Sequence, residues 1–76
     1  MKPRMFCVYK PDGSRVRVLL LQFKGTTECA FVNITKGHIC SCRFKDEDAA
    51  IDDMQMRVAK GLIDDYEELS PISVIF

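Results

Sequence analysis

The first 44 residues contain four largely apolar stretches separated by turn signals. The stretches are rich in the β-branched and aromatic residues that favour strands. They cover residues 4–10, 15–24, 28–35 and 38–44. Pro-Asp-Gly at 11–13 predicts a three-residue hairpin turn, and Gly-Thr at 25–26 and Lys-Gly at 36–37 predict two-residue turns. Connections this short predict that the four strands pair antiparallel.

The period of the pattern changes at residue 46, where the sequence predicts one amphipathic helix. Asp46 is a typical N-cap, because its side chain accepts a hydrogen bond from the first helical turn. The acids that follow it suit the positive end of the helix dipole. Four apolar residues then recur at a 3-4-4 spacing, which places them along one side of a helix. These residues are Ile51, Met54, Val58 and Leu62.

The end of the chain predicts a helix stop and a last strand. Gly61 favours a helix end with Leu62 folded back onto the last turn, although residues 64–69 allow a further helical turn. Pro71 ends the helix in either case. A short C-terminal strand is indicated by the alternation of Ile72, Val74 and Phe76. The predicted fold is α+β, in the order ββββαβ: a four-stranded antiparallel sheet with one helix packed on one face, forming one small domain over residues 1–76.

The predicted turns fix which residues pair across the strands, and so they sort the side chains by sheet face. The expected pairs are Val8–Val16, Leu20–Phe31, Phe31–Cys42 and Cys29–Phe44. One face should form the core beneath the apolar side of the helix. It collects Phe6, Val8, Val16, Val18, Leu20, Cys29, Phe31, Cys40, Cys42 and Phe44.

The opposite face should be polar if it faces water, yet it too is largely apolar. Apolar patches rimmed by polar residues mark interaction sites, and Tyr and Arg are enriched at binding hot spots. We therefore predict a surface that binds a protein partner or a second copy, made of Tyr9, Arg15, Arg17, Leu19, Leu21, Phe23, Val32, Ile34, Ile39 and Arg43. The same face also carries Met5, Cys7 and Ala30. Two alternatives stay open: the final segment wraps over this face, or a three-residue second turn or a bulge mixes the faces.

Charge is unevenly distributed along the 76 residues, although the formal net charge is zero. Residues 1–45 carry nine basic and two acidic residues, and residues 46–76 carry two basic and nine acidic residues. Such asymmetry indicates charged partners, or two halves that neutralise each other within one fold. The helix acids form a second candidate surface, made of Glu47, Asp48, Asp52 and Asp53. In a homodimer the arginines of one sheet would reach the partner's acidic helix.

Two other binding functions compete with the protein-interaction hypothesis. Tyr9 beside Arg15 and Arg17 resembles, in kind, a surface that stacks bases and contacts phosphates, although the leucines of that face are too apolar for a wet phosphate interface. The acidic helix alternatively suits an inhibitor of a nucleic-acid-binding protein, of the size found among accessory proteins of phages and mobile elements.

Residue chemistry favours a non-enzymatic protein. His38 is the only histidine, and no nucleophile elbow, glycine-rich phosphate loop or HExxH motif is present. His38, Cys40 and Cys42, with Cys29 as a fourth ligand, lack the usual zinc spacing, so we expect buried, reduced cysteines and no metal or other cofactor. A hydrophobic content of 47% argues against disorder. Without an apolar run of membrane length or a signal peptide, the expected location is the cytoplasm.

Overall fold

A computed structural model describes residues 2–39 and 42–69 and shows the α+β fold in the order ββββαβ. The described strands are β1 (Arg4–Tyr9), β2 (Arg15–Gln22), β3 (Cys29–Asn33), β4 (His38–Ile39) and β5 (Asp65–Glu68), and the helix α1 is Glu47–Ala59. The strands form one sheet in the order β4-β3-β2-β1-β5. Each strand is antiparallel to its neighbours, so the predicted fold class is confirmed.

The first hairpin has the predicted three-residue turn. The backbone N–H of Lys10 donates to Ser14 (2.8 Å), and that of Gly13 donates back to Lys10 (3.0 Å). Gly13 has a φ of +86°, a conformation that costs a glycine little because it has no Cβ. This turn fixes the predicted pairing of Val8 with Val16.

The second and third turns are longer than predicted. Each contains four residues, 24–27 and 34–37, instead of two. An even number of added residues leaves every side chain on its predicted face, because the side-chain period of a strand is two. The predicted pair Leu20–Phe31 is therefore confirmed. The predicted Cys29–Phe44 pair is also present, as an isolated bridge beyond β4.

The fourth strand departs from the prediction. β4 contains only two residues, and Ile39 pairs with Val32. Four residues then separate Ile39 from Phe44, whereas two separate Val32 from Cys29, so the β4 side carries two extra residues before the bridge at Phe44. The predicted Phe31–Cys42 pair is wrong for this reason, and Cys42 is exposed instead of buried. Cys40 lies outside the described residues.

Both ends of α1 form the predicted caps. The side chain of Asp46 accepts a hydrogen bond from the Ala49 N–H (2.8 Å). At the other end Gly61 has a φ of +74°, and the N–H of Leu62 donates to the Arg57 carbonyl (2.9 Å), which is a Schellman motif. Leu62 nevertheless points outward and is 57% exposed. No helix in the described part of the chain is long and apolar enough to cross a membrane.

A strand follows the helix as predicted, but at a different position. It lies at Asp65–Glu68, where the sequence allowed a further helical turn. It extends the sheet beyond β1 by pairing Tyr66 with Val8. The alternating segment 72–76, predicted as the last strand, lies outside the described residues.

The core lies between α1 and the sheet face predicted to be buried. Phe6 and Leu20 are almost completely buried at its centre, and Ala50 and Met54 cover them from the helix. Ile63 takes the position in the core that the sequence assigned to Leu62. Edge-to-face contacts link the aromatic rings Phe6–Phe31, Phe31–Phe44 and Phe6–Tyr66. Ile51 and Val58 pack against this cluster, which confirms most of the predicted helix stripe.

Candidate functional site

The sheet face turned away from α1, here called the outer face, carries the predicted binding residues. Because antiparallel pairing places residues opposite one another, the side chains of this face form rows that cross the strands. Two rows at one end contain charged residues and are called the polar rows. They are Asp65–Tyr9–Arg15 and Glu67–Cys7–Arg17–Ile34. No described helix or strand lies over this face.

The next rows across the outer face are apolar and are called the apolar rows. They are Leu69–Met5–Leu19–Val32 and Leu21–Ala30. Leu19 and Val32 are half-buried, and Leu21 is 36% exposed. Met5 and Ala30 are buried on this face. By its backbone pairing with Val32, the predicted residue Ile39 belongs to the same row.

Two exposed apolar residues flank the apolar rows. Ile34 follows β3 and is 42% exposed, with its N–H bonded to the Arg17 carbonyl (3.0 Å). Phe23 follows β2 and is 38% exposed. The guanidinium of Arg43 lies 4.0 Å from the centre of the Phe23 ring and pairs with Glu28 (2.5 Å). The fold therefore brings this predicted arginine to the outer face.

The polar rows contain both signs of charge. Asp65 and Glu67 lie on β5, at the edge of the sheet, and Arg15 and Arg17 lie two strands away on β2. The described residues provide no ion pair to either arginine, and both are exposed. The outer face thus presents an acidic edge and a basic strand with β1 between them.

Tyr9 lies between these two columns of charge and bonds to the acidic one. Its hydroxyl donates to the Glu67 carboxylate (2.6 Å). That hydrogen bond, and a weaker contribution from Cys7, raise the pKa of Tyr9 to about 12. The phenol is therefore held neutral on the outer face and oriented toward β5.

The acidic helix face is less available than the sequence suggests. Arg4 donates to Glu47 (2.8 Å) and to Glu68 (2.6 Å), tying the start of α1 to β5. The hydrogen bond from Arg4 lowers the pKa of Glu68. Asp53 accepts from Arg57 one helical turn later (2.8 Å). Only two of the four predicted acids, Asp48 and Asp52, are exposed.

The zinc ligands considered from the sequence do not converge where the structure describes them. Cys29 pairs with Phe44, and His38 pairs with Asn33 four residues further along β3. That separation is about 13 Å along the strand, too far for ligands of one zinc ion. Within residues 2–39 and 42–69, no three His, Cys, Asp or Glu side chains are placed to hold a metal ion.

A cleft of about 330 Å³ remains between α1 and the sheet. Core side chains such as Phe31 and Met54 line it, together with His38 and the Asp53–Arg57 pair. The described lining residues include no Ser, Thr or Cys that His38 could activate as a nucleophile. The cleft therefore offers no recognisable acyl-transfer constellation.

Sequence reasoning missed the two acids of the outer face. Asp65 and Glu67 alternate around Tyr66, and this polar–aromatic–polar alternation was the available signal for a strand at the sheet edge. The chain matches no protein-family model, and no curated protein or solved structure is significantly similar to it. The function is therefore argued from the surface itself.

Proposed function

We propose that this chain is a non-enzymatic protein-interaction module that associates through the outer face of its sheet. The observation that carries the proposal is the pair of apolar rows with exposed Leu21, Phe23 and Ile34 around them. A sheet face that meets only water normally alternates with polar residues. These rows instead have the composition of a surface that a protein covers.

The arrangement of the outer face supports a protein as the partner. Protein interfaces have an apolar centre and a polar rim, with Tyr, Phe and Arg enriched. Here Leu19, Leu21 and Val32 lie in the middle, while Tyr9 and Arg15 lie toward one end. Phe23 and the Arg43 that stacks on it lie at the other end.

Charge placement makes nucleic acid a weaker candidate. Asp65 and Glu67 share their rows with Arg15 and Arg17, so the local charges cancel. A phosphate backbone requires an excess of positive charge, since its binding is driven by neutralisation of phosphates.

The acidic helix is likewise a weaker candidate for the binding surface. Glu47 and Asp53 are already paired with arginines of the same chain. Only Asp48 and Asp52 remain exposed among the four predicted acids, which is a short run of charge for a mimic of phosphates.

The test compares two exposed leucines. Leu21→Arg introduces a charge into the apolar rows, and Leu62→Arg introduces the same charge beyond the helix, away from the outer face. We expect both variants to fold, since both side chains are exposed. Light scattering across a range of concentrations should show an assembly of the wild-type chain that only Leu21→Arg disrupts.

A monomeric wild-type chain leads to a second measurement. An uncovered outer face should then bind an apolar fluorescent dye in the native state, and Leu21→Arg should weaken that binding while Leu62→Arg leaves it unchanged. A native monomer that binds no dye contradicts the proposal, because the outer face is then covered by the chain itself. Unfolding by Leu21→Arg alone would contradict the assignment of Leu21 to a surface.

A further inference from the structure

Resting on the proposed function, we propose that the partner is a second copy of this chain. The two outer faces pack against each other around a two-fold axis that runs along β1. A symmetric interface of this kind requires the surface to be complementary to itself. The rows of the outer face meet that requirement for one orientation.

The geometry of that axis follows from the strand order. A two-fold axis parallel to the strands keeps each row at its own height and exchanges the columns on either side of the axis. With the axis over β1, the β5 column of one copy lies over the β2 column of its partner. Two sheets packed in this way have aligned strands, which is a common arrangement of stacked sheets.

This exchange places opposite charges across the interface. Asp65 shares a row with Arg15, and Glu67 shares a row with Arg17. Each acid of one copy therefore faces an arginine of the other copy, giving four such pairs in the dimer. Neither arginine has an ion-pair partner among the described residues of its own chain, so the second copy supplies one.

The same exchange superimposes the β5, β1 and β2 positions of the first apolar row, while β3 and β4 of each copy extend beyond β5 of the partner. Leu69 of one copy lies over Leu19 of the other, and Met5 lies over its own counterpart at the axis. Sheets stack about 10 Å apart, which is the space that two layers of such side chains fill. Leu69, Met5 and Leu19 then form the dry part of the interface, and the charge pairs lie beside them.

Other axes fit less well. An axis over β2 places β2 of one copy opposite β2 of the other, so Arg15 faces Arg15 and Arg17 faces Arg17. An axis across the strands reverses the order of the rows and places the polar rows over the apolar end near Phe23. Like charges placed opposite one another, and charges buried against apolar side chains, both oppose association.

The fold also excludes the dimer that the sequence suggests, in which the arginines of one sheet reach the partner's acidic helix. Because α1 covers the other face of the sheet, a partner's helix lies behind its own sheet when two outer faces meet. The acids within reach of Arg15 and Arg17 are therefore Asp65 and Glu67 of β5, and the helix acids are out of reach.

The interface is small. With the axis over β1 only β5, β1 and β2 of the two copies overlap, and three strands about 4.8 Å apart with three rows about 6.8 Å apart give about 300 Å² in projection, below the standard size of about 800 Å² per partner. An interface below the standard size predicts a weak dimer. The measurement should therefore cover about 1 μM to 1 mM chain.

Charge reversal tests the orientation. One variant combines Arg15→Glu with Arg17→Glu, a second combines Asp65→Lys with Glu67→Lys, and a third carries all four changes. By sedimentation, the first two should each dimerise about tenfold or more weakly than the wild type, because like charges now face each other. The third variant should dimerise again, and an equimolar mixture of the first two should form a heterodimer.

A matched control carries the same kind of charge change off the outer face. Asp48→Lys with Asp52→Lys reverses the exposed acids of the helix and should leave dimerisation unchanged. The wild-type dimer should persist at high salt, since the apolar rows are not screened, whereas the difference between the variants and the wild type should shrink. Rescue in the mixture excludes misfolding as the cause of the loss.

The outcomes separate this inference from the proposed function. A dimer that Leu21→Arg disrupts but charge reversal leaves unchanged overturns the orientation and keeps the interaction face. If the chain is a monomer whose outer face binds the apolar dye, the homodimer inference is wrong, and the outer face remains a binding surface for another protein. A monomer that binds dye only after removal of residues 70–76 overturns both, because the chain's own end is then the occupant.

Discussion

At the scale of single residues, neighbouring leucines on β2 have opposite roles. Leu20 is fully buried in the core, and Leu21 is 36% exposed on the outer face. We predict that Leu20→Ala lowers the free energy of unfolding by about 2–5 kcal/mol, because it leaves a cavity. The matched change Leu21→Ala should cost about 1 kcal/mol or less. Urea unfolding at a concentration that keeps the chain monomeric measures both, and equal costs would contradict the assignment of faces.

Tyr9 provides a second prediction at this scale. Its hydrogen bond to Glu67 raises its pKa from about 10 to about 12, so the bond stabilises the fold at all pH values below about 10. That stability is lost as the pH rises through about 12. Tyr66→Phe leaves Tyr9 as the only tyrosine, and its ionisation can be followed by near-ultraviolet absorbance.

Adding Glu67→Gln provides the comparison for the Tyr9 titration. Replacing the carboxylate should bring the midpoint closer to the ordinary tyrosine value of about 10. Circular dichroism on the same samples identifies the pH range in which the chain is folded. A titration that Glu67→Gln leaves unchanged would show that the carboxylate does not hold the phenol.

Which face a residue occupies could largely be predicted from the sequence. Alternation and turn parity placed Phe6, Leu20 and Phe31 correctly in the core. Prediction failed where the chain leaves regular structure. Leu62 and Ile63 follow the helix in a bent segment, and the helical period no longer indicates which of them points inward.

At the scale of elements, the helix start depends on one side chain. Asp46 accepts a hydrogen bond from the Ala49 N–H, which otherwise has no partner within the helix. We predict that Asp46→Ala lowers the free energy of unfolding by about 1 kcal/mol, whereas Asp46→Asn keeps the acceptor oxygen and costs only a small part of that. Thermal unfolding by circular dichroism compares the two. A loss of equal size in both variants would show that the charge of Asp46 matters and its capping bond does not.

The strand β5 shows why an element with few apolar residues is hard to predict. Its sequence Asp-Tyr-Glu-Glu has little strand propensity and carries three acids. What holds it in place is tertiary: Tyr66 packs against the core, and Arg4 pairs with Glu68. Neither contact is visible from local sequence, since Arg4 and Glu68 lie 64 residues apart.

At the scale of the whole molecule, the described residues place one helix over one face of a five-stranded sheet. Turn parity predicted that the second face is largely apolar, and the single predicted helix left that face uncovered. It could not predict the acidic edge of that face, because the edge depends on where β5 docks. In the proposed dimer, the acids of that edge pair with the arginines of β2 in the second copy.

The most direct test of the central claim follows side-chain methyl signals by nuclear magnetic resonance as the chain is concentrated from about 10 μM to about 1 mM. The account predicts that methyl signals of Met5, Leu19 and Leu69 shift with concentration, because these side chains meet across the two-fold axis. Signals of Leu20 in the core and Leu62 beyond the helix should stay in place. Two results would contradict the account. Signals could shift only on the helix side, or the outer-face signals could stay in place over the whole concentration range.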